Sequence, residues 1–203
     1  MIELWSWPAP NGQKVHILLE ETGLPYTVTP VNTGATDQMN QDLLDITANY
    51  RIPAILDRQG RQGPMKLCEA GAILIYLAEK AGNFIPVDPD GRYICLQWLM
   101  FQLGGIGPAF QHYSQRGSAG TAEPLSQEIQ RLVGVLEKRL EEDDYLAGTY
   151  SIADMAVYPW IAAASAQAIN LDAFPATQCW AEKFAARPAV GRGMMLMQEL
   201  QKN

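Results

Sequence analysis

The chain has few of the side chains that bind metals or form disulfides. Its 203 residues include three cysteines, Cys68, Cys95 and Cys179, and two histidines, His16 and His112. The cysteines are odd in number, widely spaced and without a C-x-x-C pair, which argues against a disulfide framework or a zinc site. The two histidines share no metal-ligand spacing with each other. We therefore predict no metal, and a protein of the reducing cytoplasm.

Positive charge and long apolar runs are scarce as well. The chain has 15 lysines and arginines against 22 aspartates and glutamates, which gives a formal net charge of -7. No cluster of Lys and Arg is present, so we expect no nucleic-acid partner, because phosphate binding needs a basic surface. No apolar stretch reaches the roughly 18 residues that span a bilayer, and the start of the chain lacks a signal-peptide pattern. No membrane partner is expected.

The overall composition is that of an ordinary globular protein, with 48% hydrophobic and 18% charged residues.

Over residues 1–81, strand and helix patterns alternate as β-α-β-α-β-β-α, which predicts a four-stranded mixed sheet with a βαβ crossover first and a hairpin last. Residues 82–91 are rich in Pro and Gly and read as a linker. Residues 92–203 are predicted to be all-helical, with the main helices over 93–102, 123–142 and 155–168. The fold class is thus an α/β domain followed by an all-α domain.

One proline conflicts with its surroundings. The run Ile52-Pro53-Ala54-Ile55-Leu56-Asp57 reads as a strand, yet proline has no backbone N–H and is confined to strand starts, edges and bulges. On local grounds a trans Pro53 that opens an edge strand is favoured. The alternative is a cis Ile52–Pro53 bond at the mouth of the sheet, which leaves neighbouring backbone groups free for a ligand. Glu69 and Ala70 follow after a short hairpin.

The order of these elements resembles the glutathione transferase family over nearly the whole chain. Ser151-Ile152-Ala153-Asp154 is similar to the capping motif of that family's helical domain. Similarity to the bacterial Nu-class branch, whose members resemble disulfide-bond reductases that use glutathione, is found at Pro10-Asn11-Gly12, Gly34, Gln38 and residues 99–108 and 150–160. The resemblance implies a thioredoxin-like N-terminal domain with Pro53 in cis, and glutathione as the cofactor.

The same resemblance implies a role for each matching residue. Pro53 in cis exposes the Ile52 backbone to the cysteinyl part of glutathione, and Glu69 receives the γ-glutamyl ammonium. Asn11 touches the sulfur at the start of the first helix, where unpaired N–H groups and the positive end of the helix dipole favour the nucleophilic thiolate. Asn11 is therefore the predicted catalytic residue. The positions near the glycyl carboxylate are matched by Gln38 and Arg51.

Two alanines depart from the family pattern. Ala9 stands where the Nu-class branch carries Thr, which removes a hydroxyl donor near the sulfur. Ala70 stands where a Ser typically binds the γ-glutamyl carboxylate. The backbone N–H of Ala70 can still bind that carboxylate, but a charge-assisted hydrogen bond worth roughly 1.5–3 kcal/mol is lost. These departures predict weaker glutathione binding, or a different ligand in the same cleft.

Three of these residues have simpler interpretations. Asn11 before Gly12 is also the typical residue of a plain helix cap. Glu69 is alternatively a solvent-exposed residue in the first turn of a helix, where the helix dipole favours a negative charge. Cys68, directly before Glu69, either forms a mixed disulfide with glutathione or is a small buried hydrophobe, and the second interpretation is favoured.

The leading functional hypothesis is a cytoplasmic homodimeric enzyme that uses glutathione as a thiol cofactor. It would conjugate glutathione to a small electrophile, or reduce a disulfide or peroxide, which the Nu-like features favour. The homodimer is implied by the family alone. The alternative is a non-catalytic glutathione-transferase-like binding protein, motivated by Ala9 and Ala70. A thioredoxin-type protein that acts through its own thiols is disfavoured, because no C-x-x-C lies near Asn11.

Overall fold

The computed structural model describes residues 1–32, 41–115, 122–167 and 169–198. The chain divides into two compact units. One comprises Met1–Asn83 together with Pro188–Asn203, and the other comprises Phe84–Arg187. Within the described ranges, we find no helix with the length and apolar character needed to cross a membrane.

The first unit is built on a four-stranded mixed sheet. Its strands, in chain order, are β1 (Ile2–Ser6), β2 (Tyr26–Pro30), β3 (Ala54–Asp57) and β4 (Met65–Cys68), and their spatial order is β2-β1-β3-β4. Strand β2 is parallel to β1, whereas β3 is antiparallel to both of its neighbours. The sheet therefore has the predicted crossover first and hairpin last.

Helices α1 (Pro10–Thr22), α2 (Gln41–Ile46) and α3 (Ala70–Ala81) complete the predicted order of this unit. The second helix is predicted to begin at Asp37, but residues 33–40 lie outside the described part of the chain. The buried core of this unit includes Val15, Ile17, Leu18 and Leu19 of α1 and Ile73, Leu74 and Leu77 of α3.

Local sequence signals set the ends of α1. Pro10 occupies the first helical turn, where its missing N–H would have no intrahelical partner in any case. Gly23 ends the helix in the left-handed region at φ 64°, and its N–H donates to the Leu19 carbonyl at 3.0 Å. The Ile52–Pro53 bond that precedes β3 is cis, as the family resemblance implies.

The second unit is helical. It contains α4 (Pro89–Phe101), α5 (Gly107–Gln115), α6 (Ala122–Glu142), α7 (Ile152–Ala162) and α8 (Pro175–Ala185). Helix α4 begins before the predicted residue 93, because Asp88 accepts a hydrogen bond from the Gly91 N–H and Pro89 follows it as the first helical residue. Helix α9 (Pro188–Met195) closes the described chain and belongs to the first unit.

Two irregular turns account for the remaining differences from the predicted helices. The interruption predicted around residues 104–108 is a π-helical turn, Gln102–Ile106, which joins α4 to α5 without breaking the helical path. Helix α7 ends at Ala162, short of the predicted residue 168, and a 3₁₀ turn at Ser165–Gln167 follows. The spacing of apolar residues cannot separate such a turn from an α-helix.

The predicted capping box at Ser151 and Asp154 is formed. The buried Asp154 carboxylate also accepts hydrogen bonds from the Leu146 N–H at 3.0 Å and from Trp180 Nε1 at 3.1 Å. Burial raises the pKa of Asp154 to about 6, although these donors act in the opposite direction. One carboxylate thus joins α7 to α8 and to the segment before α7.

Candidate active site

The strand register brings three predicted site segments to one end of the sheet. Trp5 of β1 is paired with Ala54 of β3, and Ala54 is paired in turn with Cys68 of β4. These three paired residues form a row across the sheet. Strands β1 and β4 run towards this row, and β3 starts from it. The chain therefore leaves β1 towards α1, enters β3 through Pro53 and leaves β4 at Glu69, all at the same end of the sheet. We call this end the site edge.

The start of α1 offers backbone donors at the site edge. The first backbone bond that closes a helical turn runs from the Gln13 N–H to the Ala9 carbonyl at 2.9 Å, so the N–H groups of Asn11 and Gly12 precede it. The first turn carries no acidic side chain. Because the helix dipole is positive at this end, the turn is suited to an anion such as a thiolate.

Gly12 fixes this turn against the end of β1. A Cβ at Gly12 would collide with the Trp7 carbonyl oxygen and with Ser6 Oγ. A backbone oxygen cannot move aside as a flexible side chain can, so a residue with a side chain would push the start of α1 away from the sheet. Glycine is therefore required here for a close approach.

Asn11 is not the cap of α1. The capping position is held by Ala9, which has no side-chain hydrogen bond to the helix. The Asn11 side chain lies in the first turn, half-buried, and its Oδ1 accepts a hydrogen bond from Lys14 Nζ at 2.9 Å. The interpretation of Asn11 as a plain cap is therefore wrong.

Glu69 has an unusual backbone at the turn from β4 into α3. Its φ of 70° and ψ of 115° are rare for a residue with a side chain, and its side chain makes no capping bond. Such conformations cost on the order of 1–3 kcal/mol and are concentrated at functional sites. The Glu69 side chain is exposed, and the buried Ala70 begins α3 directly after it.

The remaining predicted residues differ in their surroundings. Arg51 is exposed and Ile52 is half-buried against a cluster that includes Trp5 and Ala54. Cys68 packs against the same cluster, which favours its interpretation as a small apolar residue. Gln38 lies among residues 33–40, outside the described part of the chain. In the described ranges, no group of three or more His, Cys, Asp and Glu side chains is arranged to hold a metal.

Two buried polar contacts at α1 were missed by sequence reasoning. His16 Nε2 and Ser6 Oγ are hydrogen-bonded at 2.8 Å, and both side chains are fully buried. Burial lowers the pKa of His16 to about 4, so this imidazole is neutral at pH 7. Lys14 is also fully buried, and burial lowers its pKa to about 7. The one available signal was the spacing of Lys14, which places it one helical turn after Asn11.

Two family models match most of the chain. Residues 1–79 match the model described as "Glutathione S-transferase, N-terminal domain", and residues 100–188 match "Glutathione S-transferase, C-terminal domain". The chain belongs to the glutathione S-transferase family, as the sequence resemblance predicts. Among curated relatives, it is similar to the disulfide-bond oxidoreductase YfcG of Escherichia coli K12. The two are 41% identical over 207 residues, which cover 98% of this chain and 96% of YfcG.

Solved structures of bacterial relatives have the same fold. A glutathione transferase family member from Pseudomonas fluorescens Pf-5, with two glutathione molecules bound, is 42% identical with a TM-score of 0.87 over 95% of this chain and 92% of that one. A glutathione transferase from Pseudomonas putida, with one glutathione disulfide bound per subunit, is 39% identical with a TM-score of 0.88. The match covers 97% of this chain and 91% of that one.

Proposed function

We propose that this chain is a glutathione-dependent enzyme whose main reaction is the reduction of small disulfides or peroxides, with conjugation to electrophiles as a lesser activity. The observation that carries this proposal is the first turn of α1. There the N–H groups of Asn11 and Gly12 and the side chain of Asn11 lie at the site edge, with no acidic residue in the turn. A bound glutathione thiol placed there would be held as the thiolate.

The remaining site residues would hold the peptide. The backbone of Ile52, before β3, is suited to pair with the cysteinyl part of glutathione. Glu69, exposed at the same edge, would receive the γ-glutamyl ammonium, and the Ala70 N–H would bind the γ-glutamyl carboxylate. The two residues proposed for the glycyl carboxylate are Arg51 and Gln38.

The disulfide reaction needs two glutathione molecules. The first thiolate attacks one sulfur of the substrate disulfide, the S–S bond breaks, and the leaving thiolate takes up a proton. A second glutathione thiolate then attacks the glutathionyl sulfur of the mixed disulfide, releases the second thiol and forms glutathione disulfide. Two electrons pass from two glutathione molecules to the substrate. Relatives crystallised with two glutathione molecules, or with glutathione disulfide, support a site with room for both glutathione molecules.

Turnover assays with three substrates test the proposal. We expect a small disulfide such as hydroxyethyl disulfide to be reduced at least about tenfold faster than an aryl halide is conjugated. A peroxide should fall between the two. Asn11→Ala should lower kcat/KM for disulfide reduction about 10–100-fold, as loss of an anion-stabilising donor does.

The matched control is Asn170→Ala, the same substitution at an exposed site in the second unit, and it should leave the rate unchanged. Full activity in Asn11→Ala would contradict the assignment of the thiolate position. Absence of all three activities, with glutathione still bound, would favour the non-catalytic alternative.

We also propose that the protein is a homodimer. Helix α4 presents exposed apolar side chains at Tyr93, Ile94 and Met100, and Val87 just before the helix is 95% exposed. Tyr93 and Met100 are seven residues apart and therefore share a face of the helix. An apolar face of this kind typically marks a protein interface, and two copies related by a twofold axis would cover it.

The proposed compartment is the cytoplasm. Cys68, Cys95 and Cys179 are free thiols, and free thiols persist in a reducing compartment that also keeps glutathione reduced. Fractionation of the native host should recover the protein with the cytoplasmic marker enzymes. Recovery with the periplasmic or secreted fraction would contradict this assignment.

A further inference from the structure

The tryptophans of the chain are buried, with one exception at the site edge. The sequence has five, all of them within the described ranges. Four are at most 8% exposed, namely Trp5, Trp98, Trp160 and Trp180. The fifth, Trp7, lies in the segment between β1 and α1 and is only half-buried. Tryptophan has a large apolar surface, and leaving part of it in water is unfavourable, so the exposure of Trp7 needs a physical explanation.

The core of the first unit does not provide that explanation. Trp5, two residues earlier, packs in a buried cluster with Val31, Leu43 and Ala54, but Trp7 is not among the described residues that pack against this cluster. Within the described ranges, the Trp7 indole donates no hydrogen bond and has no ring or cation contact. It therefore retains accessible apolar surface and an N–H group that donates to no described residue.

The backbone of Trp7 is held at the start of α1. Its carbonyl accepts a hydrogen bond from the Ala9 N–H at 2.8 Å, and Pro8 and Pro10 restrict φ on either side of Ala9. The same carbonyl packs so closely against Gly12 that no Cβ would fit there. The indole is thus attached to a backbone that contacts the turn proposed to hold the thiolate. Because tryptophan has few rotatable bonds, it loses little entropy when it binds a partner.

A protein interface is a poorer explanation, because interfaces present contiguous apolar patches. Among the described residues of the first unit, the exposed large apolar side chains are those of Met1, Met65 and Met195. Met65 pairs with Asp57 and Met1 precedes β1, so both lie at the end of the sheet opposite the site edge. Trp7 instead lies next to a turn with backbone donors, which suits a small ligand with an apolar part.

We propose that Trp7 is a specificity-determining residue for the second substrate: its indole contacts a flat apolar group next to the sulfur that the glutathione thiolate attacks. The substrate class is a neutral disulfide with an aromatic substituent. The inference rests on the proposed function, since it concerns what reacts at the same turn. Aromatic rings stack on indole and gain affinity beyond the burial of area alone. The net charge of -7 disfavours an anionic disulfide.

Turnover of two matched disulfides tests the inference. Hydroxyethyl disulfide is compared with 2-hydroxyethyl benzyl disulfide, in which a benzyl group replaces one hydroxyethyl group. We expect the wild type to prefer the benzyl compound at least about tenfold in kcat/KM. Trp7→Ala should reduce this preference to less than about threefold, because the stacking surface is lost. Trp7→Phe keeps a flat ring and should retain most of the preference.

Binding of two thioethers gives a second readout that needs no turnover. S-benzylglutathione and S-methylglutathione share the glutathione body and lack a free thiol. In calorimetric titrations the wild type should bind the benzyl compound at least about tenfold more tightly, and Trp7→Ala less than about threefold more tightly. Because Trp7 alone among the five described tryptophans is not buried, S-benzylglutathione should also protect wild-type fluorescence from quenching by acrylamide. Trp7→Phe should lack this protected component.

The outcomes distinguish this inference from the proposed function. The matched control is Tyr145→Ala, at a half-buried aromatic residue of the second unit, which should keep both preferences. A benzyl preference that persists in Trp7→Ala, or its absence in a wild type that reduces both disulfides, would overturn the Trp7 role alone. A wild type that reduces neither disulfide would overturn the proposed function and this inference with it. If Trp7→Ala does not fold, Trp7→Gln, which has no ring, decides.

Discussion

At the scale of single residues, the start of α1 combines three separate requirements. Gly12 allows the helix to approach the end of β1, and Asn11 places an amide in the first turn. Lys14 holds the oxygen of that amide from within the buried interior. Ala9, in contrast, contributes no side-chain hydrogen bond to the helix. The proposed thiolate would therefore depend on backbone N–H groups and on Asn11.

The absence of a hydroxyl at Ala70 leads to a gain-of-affinity prediction. Ala70→Ser adds a donor for the γ-glutamyl carboxylate at the first residue of α3, and a charge-assisted hydrogen bond is worth roughly 1.5–3 kcal/mol. Calorimetric titration should show glutathione binding at least about tenfold tighter than in the wild type. Ala72→Ser, the same change at an exposed position two residues later, is the control. Equal affinity in all three proteins would remove Ala70 from the site.

His16 leads to a prediction for stability against pH. Burial lowers the pKa of His16 from its ordinary 6.5 to about 4, so between these values the unfolded chain binds a proton that the folded chain does not. The contribution of neutral His16 to the free energy of unfolding is therefore complete above pH 6.5. This contribution, about 3 kcal/mol, is lost as pH falls towards 4.

Urea unfolding at pH 7, 5.5 and 4.5 measures this loss. His16→Gln should flatten the fall in unfolding free energy across that range, whereas His112→Gln, at an exposed position, should leave the fall unchanged. An equally steep fall in His16→Gln would mean that other groups cause the acid sensitivity.

At the scale of elements, the sequence predicts the features that local signals control, namely helix ends and the order of strands and helices. Gly23 ends α1, Ser151 and Asp154 cap α7, and the strand and helix patterns set the order of the first unit. The site edge also follows from the pattern, because the alternation of strand directions brings Pro53 and Glu69 to one end of the sheet.

Contacts between distant segments could not be predicted in this way. The bond from His16 in α1 to Ser6 in β1 depends on which way two buried polar side chains turn. The ion pair between Arg192 and Glu20 joins residues 172 apart in sequence. Apolar periodicity carries no information on such partners, so the packing of α9 on α1 emerges only from the fold.

Gly193 provides a test of that packing. A Cβ at Gly193 would lie 2.7 Å from both the Cα and the N of Ile17 in α1, which is closer than real contacts allow. Gly193→Ala should therefore push α9 off α1 and destabilise the fold by about 1–3 kcal/mol, measured by urea unfolding. Gly191→Ala, in the same helix with open space around its Cβ, should be neutral or slightly stabilising. Equal stability of the two variants would contradict the close packing.

At the scale of the whole molecule, the proposed homodimer is tested by mass. Size-exclusion chromatography with light scattering should give about twice the 22.4 kDa of one chain. Tyr93→Glu, which places a charge on the exposed face of α4, should shift the protein towards the monomer. Lys138→Glu, on an exposed position of α6, should not. A monomeric wild type, or a dimer indifferent to Tyr93→Glu, would contradict an interface through α4.

The whole fold also explains why chemistry is expected at one place. Three separate segments, the start of α1, the residues before β3 and the turn after β4, meet at the site edge because of the strand directions. Family membership adds that relatives with this fold hold glutathione or its disulfide. The central claim is therefore that this edge binds glutathione.

Calorimetric titration of the protein with reduced glutathione tests that claim most directly. We predict saturable binding with a millimolar or lower Kd, weakened at least about tenfold by Glu69→Gln, because the γ-glutamyl ammonium would lose its charged partner. Glu79→Gln, on the exposed far end of α3, should bind as the wild type does. No heat of binding at millimolar glutathione, or equal affinity in the Glu69 variant, would contradict the account.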